Sequence, residues 1–125
     1  MSVNDDAQEF NWLLNNFVSS TSGVSDAVAV SSDGLLMARS NTLDEAGADQ
    51  LAAIISGFVS LGDGTTRCFG FEELNQIIVA MKGGYMFVSA MGTAGCLGVV
   101  AEPRCDIGNV GYQMTLLVER AGRML

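Results

Sequence analysis

A chain of 125 residues, 49% of them hydrophobic, has room for one domain and enough apolar material to fill one core. With 14 Asp+Glu against 6 Lys+Arg, the net charge of −8 repels phosphate backbones and anionic headgroups, which excludes nucleic acid and membrane insertion from the expected partners. Zero histidines remove the commonest general base, the commonest zinc ligand and every Ser-His-Asp or Cys-His arrangement, so no catalytic residue, metal ligand or cofactor site is expected.

Asp5 and Asp6 stand where acidic side chains favour a helix start, and Phe10, Leu13, Leu14, Phe17 and Val18 follow at helical spacing. Trp12 falls beside that stripe, as a half-buried core edge or as an anchor for a partner. Ser19 to Gly23 breaks the helix. Val24 to Ser31, Asp33-Gly34 and Leu35-Leu36-Met37 then read as a β-hairpin, with Arg39 closing it as a solvated charge or a second candidate partner contact.

From Leu43 to about Leu61 the residues Leu51, Ile54, Ile55 and Phe58 recur at helical spacing, while Ala48, Ala52 and Val59 form a second face of smaller residues. A helix apolar on two sides is expected to pack on its own core and on something else. Gly62-Asp63-Gly64 reads as its stop. Those glycines lack the Gly-Lys-Ser/Thr ending of a phosphate-binding loop and follow a helix where such a loop precedes one.

Phe71 to Met81, Tyr85 to Met91 and Cys96 to Ala101 read as three strands, joined at Gly83-Gly84 and Gly92 to Gly95 by turns short enough to force antiparallel neighbours. After Pro103 a last helix starts near Asp106, with Ile107, Val110, Met114, Leu117, Val118 and Ala121 on one face and Arg120 and Arg123 at its end. The expected fold is α+β: one domain over residues 1–125, a five-stranded antiparallel sheet with three helices in the order α-β-β-α-β-β-β-α.

Apolar runs such as Ile77 to Met81 fall far short of the roughly 20 residues of a bilayer span, and the acidic N-terminus differs from a secretory signal, so a cytoplasmic location is expected. Cys68, Cys96 and Cys105 make an odd number without CxxC spacing and are expected as buried free thiols. Cys68 beside Arg67 could be activated as a nucleophile, but no histidine stands as its base. One lysine beside five arginines suggests a bacterial source.

Four strings occur in order along the chain: Ser32-Asp33-Gly34-Leu35, Ala48-Asp49-Gln50-Leu51-Ala52-Ala53-Ile54, Gly83-Gly84-Tyr85-Met86-Phe87-Val88 and Gly108-Asn109-Val110-Gly111-Tyr112-Gln113-Met114. Together they resemble the roadblock/dynein light chain family, specifically its short actinobacterial members. The resemblance implies a homodimer in which the second helix packs on its mate and the third strand pairs edge to edge, extending two sheets into one. On that basis Ala48, Ala52, Ile55, Val59, Ile77 and Val79 are the expected dimer contacts. It also implies a non-catalytic regulator or scaffold for a small Ras-like GTPase, some members stimulating GTP hydrolysis, with a sensor histidine kinase as a further partner. The alternative function is a small-molecule sensor domain partnering such a kinase, which needs a pocket with convergent polar groups.

Overall fold

The computed structural model describes the backbone of residues 3–124 and the side chains of residues 8–124. Its elements are α1 (Val3–Ser20), β1 (Val24–Ser31), β2 (Leu36–Arg39), α2 (Glu45–Phe69), β3 (Gln76–Met81), β4 (Gly84–Ala90), a 3-10 turn at Gly92–Ala94, β5 (Gly95–Ala101) and α3 (Ile107–Met124). This is the expected order. The side chains of Asp5 and Asp6 lie outside the described residues.

The strands form one antiparallel sheet in the order β2-β1-β5-β4-β3. The β1–β2 hairpin and the β3-β4-β5 meander are stitched together by β1 against β5, from Val24↔Ala101 to Ser31↔Gly95. Because side chains alternate across a strand, the sheet has two apolar faces and needs two covers. On one face Phe10, Leu13, Leu14 and Phe17 of α1 and Val110, Met114, Leu117 and Ala121 of α3 pack on Ala27, Ala29, Phe87, Leu97 and Val99. On the other, Ala48, Ala52 and Ile55 of α2 pack on Val28, Val30, Met86, Val88 and Cys96.

Three sequence expectations about the elements shift. α2 does not stop at Gly62-Asp63-Gly64 but continues to Phe69, and Gly70, at φ 70°, ends it by donating its N–H to Thr66. Helix-interior glycine costs about 1 kcal/mol relative to alanine, and here close packing offsets it. A Cβ on Gly62 would lie 2.8 Å from Leu74 Cδ2, so the bare backbone seats the segment that leads into β3. β3 begins at Gln76 instead of Phe71, because its partner β4 ends at Ala90 and the ladder closes at Gln76↔Ser89. Ile107, placed by its spacing on the buried face of α3, is 38% exposed, since it opens the helix ahead of the first core contact at Val110.

The thiols divide. Only Cys96 is buried, Cys105 is partly buried and Cys68 is exposed on the last turn of α2, so the expectation of buried thiols fails at Cys68. Burial pushes the Cys96 thiol up to about 11. Cys105 is also raised, by desolvation first and then by the charges of Asp106 and Glu102.

Candidate interaction surface

A sheet of five strands has two edges, and the two are finished differently. At the β2 edge, α1 supplies the missing acceptors: Asn11 Oδ1 takes the backbone N–H of Arg39 at 3.0 Å, and Asn15 Oδ1 takes that of Asn41 at 2.7 Å. Ser40, fully buried, turns its hydroxyl to accept from Ala27 N–H at 3.0 Å. At the β3 edge, among the described residues, no side chain plays that part. β3 is hydrogen-bonded to β4 alone, leaving alternate backbone groups facing outward, a template for another strand.

Beside this open edge runs the outer face of α2. Asp44 caps the helix, its Oδ1 accepting from Gly47 N–H at 2.7 Å. Seven residues apart on the outer side, Ile54 and Leu61 are 46% and 72% exposed. Past the helix end, Phe69 and Phe71 stack at 5.6 Å between ring centroids, both exposed. On β3, Met81 is exposed on the α2 side of the sheet, whereas Ile78, whose register partner Phe87 belongs to the α1/α3 core, is exposed on the opposite face. Exposed apolar side chains of this kind, on α2 and beside the open edge, make this side of the molecule a candidate contact surface.

The six residues expected at a dimer contact do come together, in one layer between α2 and the sheet. Ala48, Ala52 and Ile55 are 0%, 2% and 0% exposed within the single chain, and Val59, Ile77 and Val79 are partly buried against them. The first three are therefore spent on the chain's own core and have no surface left for a second copy. The second apolar side of α2 is the one carrying Ile54 and Leu61. Sequence spacing held the signal, since those two residues are one heptad apart, but it did not say which apolar side faces the sheet.

Trp12 stands 63% exposed on α1, well outside the half-buried position of a core edge. Arg39 is partly buried and its guanidinium donates to the carbonyl of Leu43, so it ties the end of β2 to the approach of α2 instead of reaching into solvent. The structure does not bring Trp12 and Arg39 to one site beyond the Asn11 link. Among the described residues no group of three His, Cys, Asp or Glu stands close enough to hold a metal ion, and no helix is long and apolar enough to cross a membrane.

Residues 10–101 match the family described as the Roadblock/LC7 domain. The chain belongs to that family. No curated protein matches the sequence. Among solved structures, a Roadblock/LC7 domain from Streptomyces avermitilis is 34% identical with a TM-score of 0.83, covering 88% of this chain and 92% of that one. A second from the same organism is 32% identical with a TM-score of 0.74, over 90% and 97%. MglB of Myxococcus xanthus, at 14% identity and a TM-score of 0.84 over 94% and 87%, shares the Roadblock fold.

Proposed function

We propose that this Roadblock/LC7 chain is a non-catalytic homodimeric regulator or scaffold that binds a small Ras-like GTPase in a bacterial signalling system. The observation that carries the reading is the open β3 edge flanked by the exposed Ile54 and Leu61 of α2, on a chain whose other sheet edge is closed by its own asparagines. Pairing of β3 with β3 of a second copy satisfies the outward backbone groups, and the outer sides of two α2 helices then meet over the joined sheet. Family membership supports a protein partner in place of a substrate, and a solved MglB is described as having a tetrameric arrangement, which supports self-association of the fold.

In this reading the GTPase is met by the assembled pair, and the net charge of −8 favours a partner with a basic patch. The test is sedimentation of the purified protein alone and then mixed with the GTP-loaded and GDP-loaded forms of a Ras-like GTPase from the same genome. A dimer that co-sediments preferentially with the GTP form supports the proposal. A monomer, or a dimer indifferent to both forms, counts against it, and the latter outcome directs attention to a sensor histidine kinase.

A further inference from the structure

On the side of the sheet away from α2, a groove of about 420 Å³ runs between α1 and the end of α3, lined by Glu9, Trp12, Leu13, Arg120, Arg123 and Met124. A second hollow of about 430 Å³, bounded in part by Asn15, Asn41 and Thr42, shares Trp12 as its wall. The chain's single tryptophan is thus a ridge between two concavities, 63% exposed where an indole gains much by being covered.

The charge there runs against the rest of the molecule. Of the chain's 6 cationic side chains, Arg120 and Arg123 line this one groove, and among the described residues Glu9 is the single acid lining it, on a chain of net charge −8. Arginine and tryptophan are the residue types most enriched where binding energy concentrates. A guanidinium fork fits a carboxylate with two parallel hydrogen bonds.

We infer that this groove docks an acidic segment of a partner protein in which carboxylates alternate with a bulky apolar residue. The carboxylates pair with Arg120 and Arg123, and the apolar side chain lies against Trp12, Leu13 and Met124. Those apolar walls favour a peptide over a phosphate group, and Glu9 repels a compact dianion more than it does spaced single charges. The described groove is formed within one chain, between α1 and α3 on the face of the sheet opposite α2, so the inference does not rest on the proposed dimer or GTPase. In a dimer two such grooves would engage a bivalent partner with avidity.

Because Trp12 is the only tryptophan, the chain's indole emission reports on this ridge, and the arginine double variant assigns a response to the groove rather than to the second hollow. The experiment titrates the full chain with three end-capped peptides: one alternating Asp or Glu with Leu, one with Lys in place of the acids, and polyglutamate. The first is expected to shift the emission to the blue saturably, with binding weakened as salt rises from about 50 to about 500 mM. The double variant Arg120→Glu/Arg123→Glu is expected to bind it at least about tenfold more weakly. Both arginines are exposed, so the fold, checked by circular dichroism, is retained. An unchanged emission, an equal response to the basic peptide or to polyglutamate, or a double variant that binds as well as the parent overturns the inference.

Discussion

Ile55 of α2 fills the space left by the missing side chain of Gly98 in β5: a Cβ built on Gly98 would lie 1.9 Å from Ile55 Cδ1 and 3.0 Å from its Cγ1. Gly98 sits between Val28 and Val88 in the sheet, and Ile55 is fully buried, so the isoleucine has nowhere to swing. Gly98→Ala is expected to destabilise the protein by about 1–3 kcal/mol through overpacking. Ile55→Val, which removes Cδ1, costs about 0.5–1.5 kcal/mol alone. Urea unfolding of the double variant should show a loss smaller than the sum, a coupling of about 1 kcal/mol. Strict additivity would mean the two side chains do not share that space.

Gly95 answers to a different constraint. Its φ is 140°, and a Cβ would come within 1.9 Å of the backbone oxygen of Val30, which has no rotamer to yield. Gly95→Ala is therefore expected to cost more than Gly98→Ala and to part the end of the β1–β5 ladder. Gly83→Ala, with nothing within 4 Å of its Cβ, is the control and should shift stability by no more than about 0.5 kcal/mol. Thermal unfolding of the three variants ranks them.

The raised Cys96 thiol makes stability depend on alkaline pH. The folded thiol holds its proton up to about 11, whereas the ordinary value is 9.0, so between these limits the unfolded chain loses its proton first. The contribution is complete below pH 9.0 and is lost as pH rises toward 11, at a slope of about 1 kcal/mol per pH unit. Unfolding curves taken across that window should fall more steeply for the parent than for Cys96→Ala, which keeps Cys105. Parallel curves would contradict the assignment.

The α1 asparagines give a local test of how the β2 edge is closed. Asn11→Ala removes the acceptor for Arg39 N–H, a part-buried bond of 3.0 Å, and is expected to cost about 1–2 kcal/mol. Amide exchange should quicken at Arg39 while β4, in the sheet interior, is unaffected.

The helical stripes were legible because three-dimensional burial follows the 3.6 period: Phe10, Leu13, Leu14 and Phe17, and again Val110, Met114, Leu117 and Ala121, all face the sheet. What was not legible depended on residues far away in the chain. Ile54 and Ile55 are adjacent and equally apolar, and Gly98, more than forty positions on, selects Ile55 for the core. Gly62 reads as a helix stop until Leu74 is seen against it. The β1–β5 pairing that unites hairpin and meander leaves no local signature, and neither does the groove between the two ends of the chain, whose arginines read as ordinary last-turn charges.

The proposed self-association through α2 and β3 is tested most directly by sedimentation equilibrium of the parent chain beside Leu61→Asp. Leu61 is 72% exposed, so the new charge leaves the folded chain intact and falls on the outer side of α2. Ala52→Arg would be the wrong probe, since Ala52 is 2% exposed and a charge there strikes the core. The account predicts twice the chain mass for the parent and the single-chain mass for Leu61→Asp, with identical circular dichroism. A monomeric parent, or a Leu61→Asp variant as dimeric as the parent, would contradict it.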